Sequence, residues 1–496
     1  WKKMSRLLCV TLLVLCVLYG AFAMHHIDPL RIQLLKKQAI QREKAASLLP
    51  HIPKALFFKQ KLDHFNHQDL RTWSQRYFVN DTFWTPGGPI FLQIGGEGAI
   101  SPAYVLTMEY VEYAKTYGAL IVALEHRFYG QSKPLPNLSI ENLEYLSSQQ
   151  ALADVAFFLS NFKYSTKGAQ ESQVITFGCS YPGALTAWFR EVYPFHTSGS
   201  VASSAPVNAQ LDFYQYLDVV DESLTTVMGP LCDSRIQEAT NQVQQMLQTS
   251  SGRSQLQTMF KTCTPLDNDL DITTFMSDLM GNWQGTVQYN DETPSYSIVD
   301  LCTIMENTTI SALDAYIEVN DFFLDQQKVS CLSISYQDMI TELQNTVQTP
   351  TGVGIRQWTY QSCFEFGFFQ TTDSPNQPFG NLVPISYWLQ MCNDTFNVNG
   401  NLDMNVGAHV NETNILYGGN KPYGTTKIVF VNGSIDPWHS LSVTSDFNPT
   451  VSAIYINGTA HCADANPPNS LSPPSLPKAQ QQISQQIGQW LQEGNQ

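Results

Sequence analysis

The 496 residues exceed what one simple core organises, so two domains, or one domain carrying a large insertion, are expected. Apolar residues at 43% and charged residues at only 14% exclude an intrinsically disordered chain. A formal charge of −16 excludes nucleic acid and anionic membrane surfaces as natural partners, since a polyanion is repelled before specific contacts form.

In chain order, Lys2, Lys3 and Arg6 precede an apolar run from Leu7 to Leu18, followed by Ala21-Phe22-Ala23. This predicts a signal peptide over 1–23; the run is short of the roughly 20 residues that span a bilayer. No later stretch is long enough, so no membrane association is expected after signal removal. Cys9 and Cys16 leave with the signal. The remaining eight, Cys179, Cys232, Cys263, Cys302, Cys331, Cys363, Cys392 and Cys462, read as disulfide partners in a secretory context. With no Cys-x-x-Cys pair, neither a zinc site nor any other metal is expected. Asn-x-Ser/Thr sequons at Asn80, Asn137, Asn307, Asn393, Asn411 and Asn457 are candidate glycosylation sites; a seventh, Asn432, lies too near Asp436 to be a good one.

Residues 24–55 are basic and helix-prone, a pro-segment or N-terminal arm ended by Pro50 and Pro53. Short apolar runs then predict buried strands at 77–79, 89–94 and 119–124. A helix over 147–159 leads into a strand over 173–177. Strands alternating with helices imply a mostly parallel sheet covered on both faces. After Ala205-Pro206 the chain turns to polar, Gln-rich helices such as 234–249, which places an inserted helical domain at 208–348 between a first sheet segment, 56–207, and a second, 349–496. Strands are predicted again at 427–431 and 452–456, and a closing amphipathic helix at 477–491.

The chemistry gathers at three points. Val174 to Phe177 reads as a strand that runs into Gly178-Cys179-Ser180-Tyr181-Pro182-Gly183, with a helix over 185–192 beyond. Small residues flanking a serine in a tight strand-to-helix turn make a nucleophile elbow, the mark of an α/β-hydrolase. That fold demands an acid and then a histidine on loops after later strands, and Asp436 and His461 stand there. Gly95-Gly96-Glu97-Gly98 follows an early strand, so the Gly96 amide, with that of Tyr181, is the candidate oxyanion hole. The loop lacks the lysine of a phosphate cradle, and no cofactor is expected. Glu97 is a candidate for a peptide amino terminus, or a brace for its loop.

These motifs, with Glu125-His126-Arg127-Phe128-Tyr129-Gly130, Ala202 to Val207, Trp358 to Phe369 and Asn432 to Trp438, resemble the prolylcarboxypeptidase and dipeptidyl-peptidase II family from about Phe57 to Leu491. The resemblance implies an α/β-hydrolase core with a helical cap, and exopeptidase cleavage beside proline from one chain end or the other. It implies a proline pocket at Ala184, Phe368 and Trp438, the first two standing where prolylcarboxypeptidase has methionines. It also implies disulfides Cys232–Cys302, Cys263–Cys331 and Cys363–Cys392. Cys179, where the family more often has glycine, and Cys462 are left over, to bridge or to remain thiols, inert buried thiols being the simpler expectation. Peptides are the expected partners and a homodimer is a possible assembly; the location is lysosomal, vacuolar or extracellular. The alternatives are a silent peptide-binding protein, against which an intact triad argues, and an esterase, which lacks an obvious hydrophobic lid helix.

Overall fold

The computed structural model describes residues 52–290, 296–348, 354–421 and 423–494. The expected signal peptide and nearly all of the expected 24–55 arm lie outside them.

Eight strands form the central sheet: β1 (Leu56–Lys61), β2 (Thr72–Asn80), β3 (Ile90–Ile94), β4 (Leu120–Leu124), β5 (Val174–Cys179), β6 (Gly199–Ser203), β9 (Ile428–Gly433) and β10 (Val451–Ile456). Their spatial order is β1-β2-β4-β3-β5-β6-β9-β10. The first two pairings, β1 to β2 and β2 to β4, are antiparallel, and every later one is parallel. Two short strands, β7 (Gln210–Asp212) and β8 (Gly367–Phe369), pair separately.

The runs read as strands are mostly apolar, with few polar residues such as Gln93 and Thr176, because both faces of the sheet are covered. On β3 and β4, Ile90, Leu92, Ile94, Leu120, Val122 and Leu124 enter one core, while Phe91, Ile121 and Ala123 enter the other. Helices Glu109–Tyr117 and Ser475–Glu493 close the second core, with Ile483, Ile487 and Trp490 against the sheet. Helices Ser148–Ser165 and Tyr181–Val192 cover the first. This architecture is that of an α/β-hydrolase.

Between β6 and β9 the chain is mostly helical. Segments from Gln215–Met228 to Tyr336–Gln344 are followed, beyond 348, by Ile355–Gln361, Ile385–Phe396 and Val406–Tyr417 before the sheet resumes. Three disulfides staple this region: Cys232–Cys302, Cys263–Cys331 and Cys363–Cys392. Among the described residues no helix is long and apolar enough to cross a membrane.

Candidate active site

Parallel strands point their C-terminal ends to one edge of the sheet, and the loops leaving β3, β5, β9 and β10 meet there. Ser180 stands between β5 and helix Tyr181–Val192 at φ 66° and ψ −132°, a conformation that costs a non-glycine residue of order 1–3 kcal/mol. Its neighbours make the turn possible. A Cβ on Gly178 would lie 2.0 Å from the Pro182 carbonyl oxygen, and one on Gly183 2.5 Å from that of Ser203. The Ser180 N–H donates to Ser203 O at 2.9 Å, tying the turn to the end of β6.

Asp436 and His461 are fully buried. Asp436 Oδ1 accepts from the Trp438 N–H at 3.0 Å and lies 2.8 Å from His461 Nδ1. With the carboxylate oxygen accepting, Nδ1 carries the proton and Nε2 presents its lone pair. Nε2 is itself buried and has no hydrogen-bond partner, the Ser180 hydroxyl included.

Glycine is also required in the loop after β3. A Cβ on Gly96 would fall 2.3 Å from Pro182 Cγ, so this loop packs directly on the turn that carries Ser180. Tyr181 opens its helix, where amides lack intrahelical acceptors. Its side chain is anchored, the hydroxyl lying 3.0 Å from His126 Nε2 and accepting from Gln361 Nε2 at 2.9 Å. Burial pushes the His126 imidazole down to about 4. Glu125 and Arg127 on either side brace the scaffold, Glu125 through Arg76 and Arg127 through Asp154.

Glu97 is buried, and its carboxyl finds no hydrogen-bond partner beyond its own backbone; burial pushes it up to about 8. Phe368 and Trp438 meet edge to face at 5.3 Å, and the Trp438 ring lies 6.2 Å from that of His461. The cavity beside them is walled by Trp358, Phe368, Gln370, Trp388, Met391 and Trp438. Ala184, buried one turn beyond Ser180, is not part of that wall.

Cys179 and Cys462 are bridged, which corrects the expectation of inert thiols. Both sulfurs lie within 4.8 Å of each other and of a His461 ring nitrogen, but sulfurs bonded to each other are not thiolate ligands for a metal. Of the sequon asparagines, Asn137, Asn307, Asn393, Asn411 and Asn457 are exposed. Asn80 is buried, and the amide nitrogen a glycan would occupy donates to Val105 O at 2.7 Å.

Sequence reasoning missed Gln288. It ends helix Asp269–Gln288 fully buried, its Oε1 accepting from Trp438 Nε1 at 3.0 Å and Tyr216 Oη at 2.8 Å, its carbonyl from the His461 N–H at 3.0 Å. Nothing distinguished it from the other glutamines of a Gln-rich region. Asp464 was missed too: buried, it accepts from Ser203 Oγ at 2.5 Å, and burial pushes its carboxyl up to about 7.

Sheet order and the strained serine turn make this chain an α/β-hydrolase. Comparison of sequences narrows the class. The chain belongs to the serine carboxypeptidase S28 family, whose model matches residues 60–483, and is by that membership a serine-type exopeptidase acting on peptides. It is 37% identical to the thymus-specific serine protease of Homo sapiens over 457 residues, 89% of this chain and 87% of the relative. The Mus musculus protein of that name is 37% identical over 460 residues, covering 89% and 88%. The lysosomal Pro-X carboxypeptidase of Homo sapiens is 30% identical over 473 residues, 90% of each chain.

Proposed function

We propose that the chain hydrolyses peptide bonds next to proline through an acyl-enzyme, with Ser180 as nucleophile, His461 as general base and then acid, and Asp436 orienting the imidazole. The single observation that carries this is the His461 ring: fully buried, held at Nδ1 by Asp436 and unengaged at Nε2. A buried polar atom without a partner is costly and is kept where a reaction uses it. The Ser180 hydroxyl turns onto Nε2 as substrate enters, a contact that commonly tightens only in the complex. Ser180 Oγ then bonds to the scissile carbonyl carbon while His461 takes its proton and returns it to the leaving amine; water, deprotonated by His461, bonds to the acyl carbon and releases Ser180 Oγ, which takes the proton back from His461.

The Tyr181 and Gly96 amides are the proposed donors to the oxyanion, supported by the packing of their loops on one another at Pro182. The aromatic wall of Phe368 and Trp438 suits a pyrrolidine ring, which has no N–H to satisfy, and Ala184, one turn beyond Ser180, is the third proposed member of the pocket. Glu97, a buried carboxyl with no partner beyond its own backbone, is the proposed acceptor for a peptide amino terminus, whose charge would draw off the proton that burial holds there. The insertion beginning near 208 is read as a cap over the site, since Gln288 reaches from it to both Trp438 and His461. Passage through an oxidising secretory route, ending in a lysosome or outside the cell, accords with four disulfides.

Digestion of a peptide library, read by mass spectrometry, tests the proposal. Products trimmed at one end beside proline support it; trimming indifferent to proline overturns the pocket assignment.

A further inference from the structure

Ser180 and His461 leave strands separated by β6 and β9 in the sheet, so their loops must reach across two strands to meet. One covalent link crosses that gap. Cys179, the last residue of β5, precedes Ser180; Cys462 follows His461; and their Cα atoms are 5.8 Å apart although 283 residues separate them in sequence. Both cysteines are buried, and their sulfurs pack against the His461 ring. The backbone is left-handed at Cys462, φ 64°, as it is positive at Ser180, φ 66°, so the bridge joins two turns that an unconstrained chain would not favour. Alongside it, the Cys462 N–H donates to Ser204 Oγ at 2.9 Å and the Ser180 N–H to Ser203 O at 2.9 Å, which hang both loops on the end of β6. The Asp436 contact fixes the imidazole tautomer and tilt but leaves the approach of Nε2 to the serine to the position of the loop. The other three disulfides lie in the helical region, and none joins the two turns.

We propose that the Cys179–Cys462 disulfide is a positioning element of the active site, which sets the approach of His461 Nε2 to the Ser180 hydroxyl, and that its reduction by a dithiol lowers turnover. The proposal rests on the reading of Ser180 and His461 as nucleophile and base. In the reduction, a thiolate of the dithiol bonds to one sulfur of the bridge and expels the other as a thiolate. The second thiol of the reagent, deprotonated, then displaces the first protein sulfur. Two electrons and two protons pass to the cysteines, and the reagent leaves as a cyclic disulfide.

The test compares full-length secreted wild type with the double variant Cys179→Ala, Cys462→Ala by the rate of fluorophosphonate labelling at Ser180, by kcat and KM on a peptide substrate, and by thermal midpoint. Loss of about 10²-fold in labelling rate and kcat, with KM little changed and the variant still folded, is expected for a displaced base. A folded variant that labels at the wild-type rate overturns the proposal. If the variant does not fold, wild type pulsed with dithiothreitol decides, its reduced cysteines mapped by alkylation after the assay. Labelling that falls with reduction of Cys179 and Cys462 and returns on reoxidation supports the proposal. Labelling that persists once they are reduced, or falls only in step with the helical-region disulfides, overturns it. Failure of the catalytic reading is a different result: wild type then carries no adduct on Ser180 in any state.

Discussion

His461 Nδ1 lies 2.8 Å from Asp436 Oδ1, and neither side chain is exposed to solvent. In Asp436→Asn an amide that can donate replaces an oxygen that accepts, which favours the tautomer with the proton on Nε2 and removes the proposed base. The expected result is a kcat lowered by about 10⁴-fold with KM within a few-fold of wild type. Steady-state kinetics on one peptide substrate check it, and a kcat within tenfold of wild type contradicts the orienting role.

The buried carboxyls set a pH dependence of stability. Burial pushes Glu97 up to about 8 and Asp464 up to about 7, from ordinary values of 4.5 and 3.8. The folded state therefore holds protons that the unfolded chain has already lost, so this stabilisation is full only below the ordinary values and declines as pH rises from them through 7 to 8. His126, pushed down to about 4 by burial, acts oppositely, but only below its ordinary value of 6.5. Glu109, Glu191 and Glu365, pushed up by burial to about 7, and Asp233, pushed up to about 8, act in the same direction as Glu97 and Asp464, and between about pH 6.5 and 8 His126 does not oppose them. The thermal midpoint is expected to fall across that window, and to fall less in Glu97→Gln and in Asp464→Asn, as scanning fluorimetry will read.

Gln288 supplies one acceptor shared by Trp438 Nε1–H and Tyr216 O–H. Gln288→Leu removes it, which is expected to lower stability by about 1–3 kcal/mol and to let Trp438 shift in its pocket. Chemical denaturation measures the first effect. For the second, KM for a proline-containing peptide is expected to rise several-fold, more than kcat falls.

What could be read from the sequence was what has a local signal. The strands at β3, β4, β5, β9 and β10 are predominantly apolar runs, and the elbow, acid and histidine follow them at loop distance. β6 was missed because Gly199 to Ser203 carries small residues where a strand would show branched ones, and the reason is in the packing: a Cβ on Gly199 would lie 2.2 Å from the Trp490 ring. β1, Leu56–Lys61, sits at the sheet edge with lysines among its apolar residues, and its burial pattern is mostly exposed. The bridge between Cys179 and Cys462 and the reach of Gln288 to the histidine loop depend on closure in three dimensions, which spacing along the chain does not encode.

The central claim is that the hydroxyl of Ser180 is the nucleophile. Incubation of the folded wild-type protein with a fluorophosphonate, followed by proteolysis and tandem mass spectrometry, tests it most directly. The account predicts a single adduct on Ser180, absent from Ser180→Ala and formed far more slowly in a His461 variant. An adduct on another serine, or none on a protein shown to be folded, contradicts it.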